Sequence, residues 1–324
     1  MVFSCKKTAA AGNSGLPEAA PDVSTVQVIT PINASLGAML QYSPSRWRNP
    51  EYETFSFNLN PHIFYLVTKT FTVQSRFLKR LAFFTEKPGF AGTLARDEDI
   101  AGLRDWFAHD YSAGDLAAFF ELARKENFAL NSSEIELRDM LLAQGIIKNN
   151  GSYTEGEGAL IGLSIESRDR LPVYYAHETI HGLEFTMPEL QKLFMEFFDS
   201  LSSLEKNFIR TALVYRDYNV LADKQLLASE TAAYLLQQKP EETEKYFREY
   251  VRPWYVAYQE ARRGAVETEE AAEAAEYTDP VMVFLAENPG IFGRRSAALQ
   301  KSFRELTGLG PETFYDLLPK DRNL

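Results

Sequence analysis

The chain has 324 residues, 45% hydrophobic and 13% aromatic, enough to bury a sizeable core in one large domain or two. Asp and Glu outnumber Lys and Arg by 45 to 34, a net charge of −11, which repels phosphate backbones and argues against a nucleic-acid partner. The single cysteine excludes an internal disulfide and a cysteine-built zinc site, and no apolar run approaches the ~20 residues of a membrane span.

The first residues include Val2-Phe3-Ser4-Cys5, followed from residue 8 to about 24 by Ala, Gly, Ser and Pro. A small residue before a cysteine, then a polar tether, resembles the processing site of a bacterial lipoprotein. The resemblance implies a lipid anchor on Cys5 and a place in the cell envelope, facing the periplasm or the surface. The charged and apolar parts of an export signal are then expected upstream. The alternative is a cytoplasmic protein with one free thiol in its tail. Residues 1–24 are read as a flexible tether in either case.

Residues 26–30 and 54–59 alternate or run apolar, as short strands do, and 62–73 is apolar and β-branched without a clear period. A helical period follows over 73–86 and stops at Pro88-Gly89. Asp97-Glu98-Asp99 places acids in the first turn of a helix expected to reach His109. Residues 114–127 carry a stripe of Leu116, Phe119, Phe120 and Ala123, and Asn131 caps a helix over 132–144 that Gly145 ends. Residues 25–150 thus read as an N-terminal, mostly helical subdomain, bounded by the turn Asn149-Asn150-Gly151-Ser152, and 151–324 as a second domain. There, 159–165 reads as a strand and a helix begins near Pro172 and runs to about Phe185. Helices are expected over 189–201, 204–219 and 223–238, two more within 240–263 broken near Pro253, an Ala/Glu-rich excursion over 264–277, and short helices to the end.

The string His177-Glu178-Thr179-Ile180-His181 is H-E-x-x-H, and it falls on the helix begun near Pro172. On a helix the two histidines stack on one face and can hold one divalent metal, for which zinc is the usual choice. Glu178 can then act as general base on water. The flanking Tyr174, Tyr175, Ala176, Gly182 and Leu183 carry no charge, as a buried active-site helix requires. The remaining histidines, His62 and His109, lie far upstream, so a third ligand must be a carboxylate. Glu184 lies seven residues beyond His177 on the same helix, about 10 Å along its axis, and reaches a metal between the imidazoles poorly. Glu230, among the small and apolar residues of Ala228-Ser229-Glu230-Thr231-Ala232-Ala233-Tyr234, is favoured, because a lone carboxylate in such a setting needs a counter-charge or a metal.

From His177 to about Gln237 the chain resembles the gluzincin group of zinc metallopeptidases, which pair H-E-x-x-H with a Glu on a later helix. The resemblance implies a mainly α (α+β), zincin-like catalytic domain with a small sheet. It also implies Zn2+ bound by His177, His181 and Glu230, Glu178 as base, and a peptide or protein substrate. In such peptidases an edge strand before the metal helix receives extended substrate, and 159–165 is the candidate. The position four after Glu230 departs from the group: it is Tyr234, where an Asp, Ser or Ala is usual. Tyr215, Tyr218, Tyr174 and His109 are the candidate transition-state donors, and His109-Asp110 reads as a helix-end cap in preference to a metal-supporting pair. Two rival functions are an inactive envelope lipoprotein that binds a peptide or glycan, and a helical scaffold with a structural metal.

Overall fold

The structure, a computed structural model, describes residues 29–310 apart from residues 88, 104, 222 and 265–278. The expected tether at 1–24 with Cys5, most of the strand expected at 26–30, and nearly all of the Ala/Glu-rich stretch lie outside the described residues. The chain is mainly helical, around one small mixed sheet. Its strands are β1 (Ile32–Ala34), β2 (Tyr52–Phe57), β3 (Asn60–Thr68), β4 (Ala108–Ser112) and, after a hairpin of β5 (Ile147–Asn149) and β6 (Tyr153–Glu155), β7 (Ala159–Ser164). The spatial order is β1-β2-β3-β7-β4. β7 runs parallel to β3 and antiparallel to β4.

The two faces of the sheet bury different side chains. Ile63, Tyr65 and Val67 of β3 and Ile161 and Leu163 of β7 join one core, while Phe64, Leu66 and Leu160 join the other. A strand buried on both faces reads as a continuous apolar run, which is why β3 shows no period in the sequence. One face is covered by α2 (Phe71–Thr85), α4 (Ala113–Lys125) and α5 (Ser132–Ala143). The other is covered by α6 (Leu171–Thr186), with α7 (Pro188–Ser200), α8 (Ser203–Tyr215) and α9 (Lys224–Leu236) behind it. Short α1 (Leu36–Leu40) and α3 (Asp97–Ile100) complete the N-terminal part. Beyond α9 come α10 (Pro240–Tyr246), a π-helical turn Phe247–Val251, α11 (Arg252–Gly264), α12 (Pro280–Glu287) and α13 (Ile291–Thr307). The π turn sits just before Pro253, whose missing N–H breaks the helical ladder there.

Several sequence expectations change. The first described strand is β1 at Ile32–Ala34. The helix expected over 97–109 stops at Ile100, two residues before Gly102, and Ala108–Ser112 is strand β4, because pairing with β7 outweighs helical propensity there. β7 is internal, hydrogen-bonded on both sides, and β4 is the edge. Residues 25–150 are rich in helix, yet they supply four of the five sheet strands, and β7 inserts between two of them. The turn at 149–152 joins β5 to β6, and the sheet continues across it.

α6 lies close on the sheet at Gly182. A Cβ there would sit 3.0 Å from Ile63 Cγ2 and 3.1 Å from Ile161 Cδ1, both fully buried. Gly182→Val overpacks this contact and is expected to lower stability by about 1–3 kcal/mol in urea unfolding. An unchanged midpoint would show that α6 can lift from the sheet freely.

Candidate metal centre

α6 carries His177 and His181 one turn apart, 7% and 2% exposed. Their Nε2 atoms lie 3.2 Å from each other. α9 crosses α6 and brings Glu230 to them, Oε2 at 3.4 Å from His177 Nε2 and Oε1 at 3.6 Å from His181 Nε2. These three side chains, all buried, each offer a donor atom within 4.8 Å of the others.

The other ring nitrogens fix the tautomers. His177 Nδ1 lies 2.9 Å from the amide oxygen Oε1 of Gln237, the residue that ends α9. An amide oxygen only accepts, so Nδ1 carries the hydrogen. His181 Nδ1 lies 2.9 Å from Ser229 Oγ, and Ser229 in turn donates to Glu184. With its proton committed to the carboxylate, Ser229 accepts from His181 Nδ1–H. Both Nε2 atoms then present lone pairs toward one point, which the Glu230 carboxylate also faces. Glu230 Oε2 has no hydrogen-bond partner. Three lone-pair donors converging in a buried space repel unless a cation lies among them. Two imidazoles and one carboxylate match the donor set of a three-ligand metal site with an open position. Glu184 stands on the Nδ1 side of His181, at 3.8 Å, away from the convergence point. Tyr234 packs edge-on against the His177 ring at 5.0 Å, while Gln237 provides the hydrogen bond.

Glu178 lies outside the three converging donors and lines a cleft, 6% exposed, with Asp110 of β4 as a neighbouring carboxyl. Burial, then Asp110, push its carboxyl well above the ordinary value of 4.5. Glu86, at the C-cap of α2, is pushed up by burial and by Asp110 as well. Burial opposes charge on His181, but the carboxylates of Asp110, Glu230, Glu184 and Glu178 outweigh it and raise its pKa well above 6.5. The centre thus attracts positive charge, whether proton or metal.

The cleft has two lobes, of about 740 and 1010 Å3, that share Glu86, Trp106, Asp110, Tyr218 and Glu230. The smaller reaches His177 and Glu178, the larger His181. Of the four sequence candidates for a donor, Tyr218 lines both lobes and Tyr174 the smaller one. α8 ends earlier than the sequence suggests, at Tyr215, where Asp217 adopts φ 67° and Tyr218 N–H folds back to Leu213 O at 3.2 Å. That cap turns Tyr218 into the cleft. Tyr215 is 44% exposed and lines neither lobe. His109 alternates with Asp110 on β4 and so faces the opposite core, 1% exposed, with Nδ1 2.9 Å from Tyr111 OH; burial lowers its pKa. Neither a helix-end cap nor a metal-supporting pair describes His109-Asp110. Glu86, Trp106, Ser229 and Gln237 escaped the sequence reading as site residues, and Asp110 was weighed only in a pair with His109. For Asp110 the alternation Ala108-His109-Asp110-Tyr111-Ser112 was the available signal.

No protein-family model, curated protein or solved structure matches the chain.

The purified protein is expected to take up about one divalent cation per chain, and Glu230→Ala to weaken that uptake by more than the ~10–100-fold that loss of a supporting hydrogen bond costs. Titration calorimetry measures both, and equal affinity in the variant would remove Glu230 from the donor set.

The raised groups also set a pH dependence. Glu178 and Glu86 hold protons when folded that they release near 4.5 when unfolded, and His181 holds a proton that it releases near 6.5 when unfolded. The folded state therefore binds more protons, and metal-free stability is expected to fall as pH rises from about 4.5 through neutrality. Melting temperatures of the metal-free protein across that window check it, and a rise toward neutral pH would contradict these protonation states.

Proposed function

We propose that the chain is a zinc-dependent hydrolase of peptide bonds, of the gluzincin kind its motif resembles. The placement of Glu178 carries the reading. It follows a metal donor in sequence, yet its carboxyl lies outside the triad and in the open cleft. Two imidazoles and a carboxylate suit zinc better than the all-oxygen cations Ca2+ and Mg2+. When bound, zinc supplies Lewis acidity that polarises a carbonyl and acidifies water. Glu178 takes the proton of the attacking water and delivers it to the leaving amine, with Asp110 orienting its carboxyl. Tyr218, at the junction of the lobes, donates a hydrogen bond to the carbonyl oxygen as charge develops there. β4, the edge strand beside α6, offers its free side to an extended peptide, and Ala108 and Asp110 line the adjoining lobe.

A structural metal site is closed to solvent, whereas here a cleft reaches both histidines, which favours the catalytic reading over a scaffold role. A net charge of −11 favours a peptide over a nucleic acid as partner. No helix among the described residues is long and apolar enough to cross a membrane, and attachment to the envelope in this reading relies on a lipid at Cys5. Mass spectrometry of the N-terminus tests that attachment.

Glu178→Gln is expected to keep zinc and lose about 100- to 10,000-fold in turnover of an unfolded protein substrate. Tyr218→Phe is expected to lose about 100- to 1,000-fold with zinc retained. Undiminished turnover in Glu178→Gln would assign the base to another residue.

A further inference from the structure

The geometry points to Glu184 as a positioning residue that governs metal affinity from outside the donor set, acting on His181 through the hydroxyl of Ser229. The inference rests on the metal centre proposed above. Glu184 lies three residues past His181 on α6, and Ser229 immediately precedes Glu230 on α9, so the helices that supply the donors also supply this support. The direct distance from His181 Nδ1 to Glu184 Oε2 is 3.8 Å, too long for a hydrogen bond. Ser229 closes the gap, accepting from His181 at 2.9 Å and donating to Glu184. Gln225 Nε2 donates to the other carboxylate oxygen at 2.9 Å, so neither oxygen of Glu184 is free to turn away. His181, Ser229 and Glu184 are 2%, 6% and 4% exposed, and all three border the larger lobe.

The polarity of this relay follows from the carboxylate at its end. A carboxylate accepts only, so the Ser229 proton points to Glu184 and the His181 proton points to Ser229. His181 is thereby committed to presenting a bare Nε2 to the metal. His177 is backed differently, by the neutral amide oxygen of Gln237. Among the described residues Glu184 has no Lys or Arg within ion-pair distance, its sole basic neighbour being His181. In the loaded protein the divalent cation, one imidazole and one hydroxyl away, complements the charge of Glu184. Loss of Glu184 therefore weakens metal binding although Glu184 touches no metal, and because it acts through Ser229 the two substitutions share one effect.

The test compares the full-length chain with Glu184→Gln, Ser229→Ala and the double variant. Zinc affinity is read by competition with a chromophoric chelator, and circular dichroism checks that each variant folds. Each single substitution is expected to lower zinc affinity about 10- to 100-fold. The double is expected to fall no further than the weaker single, because either change cuts the same relay. Parent-like zinc affinity in Glu184→Gln overturns the inference, as does a double variant whose loss is the product of the single losses. If Ser229→Ala fails to fold, the zinc affinity of Glu184→Gln decides alone. A parent chain that takes up no zinc overturns the metal centre and this inference together. Zinc uptake without peptide turnover overturns the hydrolase reading and leaves the inference standing.

Discussion

Two imidazole nitrogens 3.2 Å apart, both facing one carboxylate, form an arrangement that no protein interior favours without positive charge among them. In a low-dielectric space such donors repel, and removing them from water adds to the cost. The rest of the fold holds them there. α6 is pressed onto the sheet at Gly182, and twelve of its sixteen residues are buried. α9 is buried over most of its length and cannot swing Glu230 aside. Gln237 and Ser229 lock the rings from behind. The core energy of a three-layer structure thus maintains a convergence that is stable only with positive charge at its centre.

The same sheet decides what the centre can reach. β4 turns Asp110 toward α6 and His109 toward the opposite core, a separation that the period of a strand imposes on neighbours. Glu178 therefore meets a carboxyl partner on the side of the cleft and not a histidine. Across the cleft, the left-handed Asp217 ends α8 and aims Tyr218 at the junction of the lobes. Asp tolerates that backbone better than most residues, so a local conformational preference sets the position of a cleft residue.

The histidine helix was legible because all its information is local: spacing, uncharged flanks and a proline in the first turn. Glu230 was legible by a different logic, as a charge among Ala, Ser and Leu that had to be compensated. Helices with caps, such as the one Asn131 opens, were equally plain. What was hidden depends on pairing between distant segments. Residues 108–112 follow an acidic helix start and read as its continuation; only β7, fifty residues on, makes them a strand. β7 itself carries six buried residues with no alternation, a pattern that says two covered faces but not which strands flank it. The supports of the histidines were hidden for the same reason, since Gln237 and Ser229 look like ordinary helical residues until α9 lies across α6.

The cleft's charge sharpens the comparison between the two occupants the centre can accept. Glu86, Asp110, Glu178, Glu184 and Glu230 all bear on a small volume, and among the described residues Arg216 is the sole Lys or Arg lining either lobe. Such a field favours the protonated forms of His181 and Glu178 when no metal is bound. A divalent cation brings twice the charge and, unlike a proton, satisfies three donors at once. Both occupants answer the same excess of buried carboxylates, but only the cation meets all three donors at one point, so the arrangement of His177, His181 and Glu230 suits it better than it suits a proton.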